Sequence, residues 1–136
     1  MNYASESATG VSPIGLVIRL YETIVGDLGR AVLAVRDGDV ERRSNQLQHA
    51  LLLIAHLQSA LDIDHGGDPA RQLDRFYSLA RSRILEAQIR QSGKILEEMI
   101  GEFLSIRDAW TEVEKQQAIA QPANTNASPA HVSCVA

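Results

Sequence analysis

Residues 12–39, SPIGLVIRLYETIVGDLGRAVLAVRDGD, decide how this chain folds. Ser12 stands before a proline. Its side-chain oxygen suits an orphan amide of a first helical turn, and Pro13 suits the first helical position, where a missing N–H costs nothing. The Glu or Gln expected three residues after such a cap is absent, because Gly15 stands there, but Val11 and Leu16 occupy the two positions of a hydrophobic staple. Val17, Leu20, Tyr21, Ile24, Leu28, Ala31 and Val35 then recur at helical spacing, and Asp37-Gly38-Asp39 supplies a stop followed by a new cap.

The same grammar repeats outward from this first helix. Val40, Leu47, Ala50, Leu51, Ile54, Leu57 and Leu61 predict one face of a second helix, which runs into Asp62-Ile63-Asp64-His65-Gly66-Gly67, where paired glycines predict a break. Asp68-Pro69 reads as a restart with its own cap, and Leu73, Phe76, Tyr77, Ala80, Ile84 and Ala87 make a third stripe that ends at Ser92-Gly93. Ser92 caps a fourth helix carrying Leu96, Met99, Phe103, Ile106, Trp110 and Val113.

Four amphipathic helices with short connections, and no alternating period, predict an all-α antiparallel up-and-down four-helix bundle. The expected organisation is a flexible N-terminal segment over 1–11, the bundle over 12–120, and a disordered tail over 121–136. In that tail Pro122, Pro129 and small polar residues leave too little apolar surface to offset the entropy of ordering.

The whole chain, 136 residues with 45% hydrophobic and 22% charged, fits one core. Its formal charge of -4 and the lack of a basic block argue against binding nucleic acid by phosphate neutralisation. Met1–Gly10 lack the basic start and apolar core of an export signal, and the longest apolar run, Ala50–Ala55, is far short of the roughly 18 residues that predict a membrane span. Cys134 is the single cysteine, so no internal disulfide forms, and a cytoplasmic location without membrane insertion is expected.

Chemistry leaves little trace. None of His49, His56, His65 or His131 follows a Glu by three residues, as a di-iron bundle requires. His49 and His56 lie two turns apart, about 10.5 Å, too far for one metal, and read as surface histidines. A histidine phosphotransfer domain would want a cation and a glycine after its histidine, whereas His49 is followed by Ala50-Leu51-Leu52-Leu53. No phosphate-binding loop or nucleophile elbow is present, so neither an enzyme nor a cofactor is expected.

The unusual feature is surplus apolar surface. Helix one carries a second line, Ile14, Ile18, Val25 and Val32, beside its core stripe; helix two adds Leu52 and Leu53, helix three Leu79, Leu85 and Ile89, and helix four Ile100 and Leu104. Wide stripes serve a helix with two neighbours, but the combined surplus favours a groove for an amphipathic partner helix. Ile18, Val25, Leu52, Leu53, Leu79, Leu85, Ile100 and Leu104 are the candidate contacts. Tyr21, Tyr77 and Trp110 sit on main stripes and are expected in the core.

Ser12-Pro13 with Leu16 and Leu20-Tyr21, then Leu61-Asp62 and Gly66-Gly67, together with Leu73, Tyr77, Arg83, Ile84, Glu86-Ala87 and Arg107-Asp108-Ala109-Trp110, resemble the FliS family of flagellar secretion chaperones over roughly Tyr3 to Val113. Ile14-Gly15 and Glu22-Thr23 depart from the residues common there. The resemblance implies a cytoplasmic chaperone that binds the disordered C-terminal region of flagellin, prevents premature polymerisation and presents the subunit to the type III flagellar export apparatus. It also implies that the N-terminal segment covers part of the binding surface until the client arrives, with Tyr3 as its plug. A module binding another flagellar regulator, such as an anti-sigma factor, is the alternative reading. A monomer or weak homodimer is expected.

Overall fold

The computed structural model describes residues 12–120. The expected N-terminal segment, with Tyr3 and Val11, and the expected tail, with Cys134, lie outside the described residues. Helices α1 (Pro13–Asp37), α2 (Val40–Ser59), α3 (Ile63–Arg90) and α4 (Gly93–Ala120) account for nearly everything between, and no strand occurs among the described residues.

Local chemistry sets the helix ends. Ser12 Oγ accepts the Gly15 amide at 2.9 Å, Asp39 Oδ1 accepts the Arg42 amide at 3.0 Å, and Ser92 Oγ accepts the Ile95 amide at 3.2 Å; each satisfies a donor that a first turn leaves orphaned. Gly38 closes α1 in the left-handed region, at φ 68°, where glycine has no Cβ to clash.

The start of α3 differs from the sequence expectation. Asp62, not Asp68, is the cap, with its carboxylate accepting the His65 amide at 3.2 Å. One turn forms before Gly67 breaks the helical path at φ 66°, ψ −151°, a backbone shape that excludes side chains. The expected gap at Gly66-Gly67 is therefore a kink within α3, and Asp68 pairs with Arg71. At the other side of the connection α2 stops at Ser59, so Leu61 lies beyond the helix, while Val40 at its start is exposed.

Cross-helix pairs fix the antiparallel register. Asp27 meets His49, and Arg30 meets Gln46, between α1 and α2. Gln58 bonds to Asp74 and Ser78 while Ser44 receives Gln88, between α2 and α3. Arg83 reaches Glu98 between α3 and α4, and Glu22 meets Arg107, with Arg36 on Glu97, between α4 and α1. The four helices thus form a closed ring with α1 and α3 facing each other across the middle.

That middle is aromatic at one level. Tyr21 and Phe103 pack edge-on with ring centres 5.4 Å apart, Phe76 and Phe103 at 5.0 Å, and Tyr21 and Tyr77 at 6.3 Å, the offset geometries that aromatic quadrupoles favour. Ile24, Leu28, Ile54, Ile84 and Leu96 fill the layers beyond, all without solvent exposure.

Candidate functional site

The main stripe of α4 does not stay in the core. Leu96, Met99 and Phe103 are buried, Ile106 and Trp110 are partly buried, and Val113 is exposed. The stripe therefore surfaces along the second half of the helix. There it forms one wall of an apolar groove of about 450 Å³, with Ile106, Ala109, Trp110 and Val113 facing Leu73 and Phe76 of α3, and Pro69 and Gln72 at the rim. Toward the far end of the α3–α4 seam, Arg83 bridges to Glu98 and to Glu86.

A second cavity, of about 200 Å³, lies behind the first, lined by Val17, Leu57, Leu61, Ala70, Tyr77 and Trp110 among others, with Asp62 and Gly66 also on its wall. Pro69, Leu73 and Trp110 border both spaces, so the indole stands between them. Gly66 permits the first turn of α3 to lie on Ala70; a Cβ there would come within 2.6 Å of the Ala70 Cβ. The His65 side chain hydrogen-bonded to Asp62 holds that carboxyl below its usual range.

Below the cavity, the Tyr21 and Tyr77 hydroxyls share a 2.6 Å hydrogen bond. Burial pushes both phenols up, and for Tyr77 the adjacent Tyr21 adds to the effect. For Tyr21 the contacts to Tyr77 and Trp110 act in the opposite direction.

The eight expected contacts within the described residues separate into distinct surroundings. Ile18 and Val25 flank Glu22 at helical spacing, and Ile100 and Leu104 precede Arg107 in the same way, so the Glu22–Arg107 pair at 2.9 Å places all four along the α1–α4 seam. All four are partly buried. Ile14 and Val32, from the same second line of α1, are fully in the core; α4 covers much of this surplus. Leu53 is partly buried against the core. Leu52, Leu79 and Leu85 are exposed, at 55%, 55% and 51%. By helical spacing Leu79 lies one turn beyond Phe76, past the residues that line the groove, whereas Leu85 borders a shallow depression with Ser78, Arg81 and Ser82. Tyr3 lies outside the described residues.

Trp110, expected in the core, and Phe76 and Val113, ordinary stripe residues by sequence, all line the groove. The available signal was their position on stripe ends, Val113 last in its stripe and Phe76 near the start of its own. His49 is half exposed, as a surface histidine should be, and in addition its Nδ1 lies 2.6 Å from a carboxylate oxygen of Asp27, which Arg30 holds at 2.8 Å from the other side. The Asp27 side chain is only 3% exposed. Among the described residues no group of three His, Cys, Asp or Glu side chains is placed to hold a metal ion, and no helix is long and apolar enough to cross a membrane.

Comparison with known proteins gives one consistent family. The family model described as "Flagellar protein FliS" matches residues 1–117. A flagellar secretion chaperone FliS of Salmonella typhimurium is 32% identical over 110 residues, covering 79% of this chain and 82% of the relative. The protein of the same name from Campylobacter jejuni is 28% identical over 121 residues, covering 88% and 94%. That of Escherichia coli is 29% identical over 98 residues, covering 71% and 72%.

Proposed function

The chain belongs to the FliS family of flagellar secretion chaperones, and from that premise we propose that it binds the C-terminal region of flagellin in the cytoplasm, keeps it from polymerising and hands it to the type III flagellar export apparatus. As a member of that family it is a flagellar export chaperone and not an enzyme.

The observation that carries the client reading is the apolar groove between α3 and α4. An amphipathic helix laid into such a groove gains affinity from buried area and selectivity from a few anchoring side chains. Leu73, Phe76, Trp110 and Val113 would supply that area, with exposed Leu79 extending it. The second cavity offers a recess for one anchor; an apolar cavity of about 150 Å³ is already enough to hold a benzene ring.

The N-terminal plug is part of the same reading. The Ser12 hydroxyl reaches Glu114 at 3.4 Å, one turn beyond Trp110, which puts the first described residue beside the open end of the groove. From there Tyr3 would compete with the client for the same apolar surface, at the cost of some affinity.

Co-purification with full-length flagellin and with a C-terminally truncated form tests the proposal. Capture of the first and not the second is expected. Equal capture of both, or capture of an anti-sigma factor in place of flagellin, would overturn it.

A further inference from the structure

The outer face of the α2–α3 layer carries a second apolar surface that the client groove does not use. On α3, Arg71, Arg75, Ser78, Ser82, Leu85 and Ile89 recur at helical spacing along one line. Leu85 and Ile89 are 51% and 81% exposed, and the two serines help line a shallow depression of about 320 Å³ beside Leu85 and Arg81. Leu52 of the adjacent α2 is likewise 55% exposed. The small side chains of Ser78 and Ser82 beside exposed Leu85 leave room for the close approach of another helix.

The charge of this face points to the occupant. The chain is net acidic, at -4, yet α3 beyond its kink carries Arg71, Arg75, Arg81, Arg83 and Arg90 against Asp68, Asp74 and Glu86. Arg71, Arg83 and Arg90 have carboxylate partners within the chain. Arg81 spends its hydrogen bond on the neutral Gln58, and neither it nor Arg75 has a carboxylate within ion-pair distance among the described residues. Two uncompensated cations beside an exposed apolar line would favour carboxylates on whatever covers it.

We infer that the α2–α3 outer face docks an acidic amphipathic helix of a second protein, with its apolar side over Leu85 and Ile89 and its carboxylates against Arg75 and Arg81. This site is separate from the α3–α4 groove and stands whether or not that groove holds flagellin.

The test uses the full chain and two synthetic amphipathic peptides with leucines on one face, one bearing glutamates and the other lysines at the same positions, followed by fluorescence anisotropy. The glutamate peptide is expected to bind at least about tenfold more tightly than the lysine peptide, and to lose about that factor in the Arg75→Glu, Arg81→Glu double variant. Ser82→Trp, which fills the depression, should weaken it as well, while Val113→Asp in the other groove should not. Equal binding of both peptides, or loss of binding in Val113→Asp, overturns the inference. So does co-sedimentation with phosphatidylglycerol vesicles in place of peptide binding, or a self-association abolished by Leu85→Asp, since the face would then belong to a membrane or to a second copy.

Discussion

The hydroxyls of Tyr21 and Tyr77 lie 2.6 Å apart at the centre of the bundle and join α1 to α3 across its middle. Each ring is at most 1% exposed, so neither hydroxyl has water as a substitute. Removing one oxygen leaves the other short of a partner, which costs about 1–3 kcal/mol. Tyr77→Phe is expected to lower stability by about that amount, and Tyr21→Phe similarly, whereas the double variant should cost clearly less than the sum. A double-mutant cycle by urea denaturation measures this; strictly additive losses would show that the two hydroxyls do not act as a pair.

Alkaline pH acts on the same pair. Burial raises both phenols in the folded state above the unfolded value of about 10. Their contribution is therefore complete below that pH and is lost as the pH rises through the folded-state values, because unfolding then releases protons. Thermal melting should begin to fall above about pH 10, and the fall should be shallower in the double phenylalanine variant.

Asp27 is a carboxylate inside the α1–α2 seam, held by Arg30 at 2.8 Å and His49 at 2.6 Å. Asp27→Ala removes two charge-assisted bonds and is expected to cost about 2–3 kcal/mol. His49→Ala should cost less, about 1 kcal/mol, because that side chain is half exposed and water can replace it. Chemical denaturation of the two variants ranks them, and the reverse order would contradict this account of the seam.

Groove and seam positions should respond differently to an introduced charge. Val113→Asp and Leu79→Asp place carboxylates at exposed positions, so helicity by circular dichroism should be kept while flagellin capture is lost. Ile18→Asp and Ile100→Asp enter the α1–α4 seam, where burying an unpaired charge costs several kcal/mol, and melting temperature should drop together with capture. If Val113→Asp unfolds the bundle, the proposed groove is core.

Deletion of Met1 to Thr9 removes the proposed plug. Calorimetric titration with a flagellin C-terminal peptide should show tighter binding, accompanied by lower solubility of the free protein. Unchanged or weaker binding would count against a plug on this surface.

Much of this fold was legible because its helix ends are written in local chemistry. Ser12, Asp39 and Ser92 cap where their side chains say they should. The start of α3 was not, because Gly66-Gly67 looks like a terminator, and only the left-handed φ of Gly67 shows that a turn capped by Asp62 precedes the kink. The second apolar line of α1 could be read as surplus, but its cover could not: which neighbour faces Ile18 and Val25 depends on the register set by Glu22 and Arg107. The lining of the groove escaped for a related reason. Trp110 and Phe103 share one stripe in sequence, and only the packing of α3 determines where that stripe leaves the core. Asp27 offered a fainter clue, a carboxylate beside buried Leu28 with Arg30 three residues on.

Trp110 is the single tryptophan of the chain, and it borders both the groove and the recess behind it. Indole emission responds to the polarity of its surroundings, so the protein carries its own optical reporter at the point where a client would displace solvent. A blue shift on adding peptide would follow occupancy in real time without any dye, and its absence with a peptide directed to the α2–α3 face would tell the two surfaces apart in one cuvette.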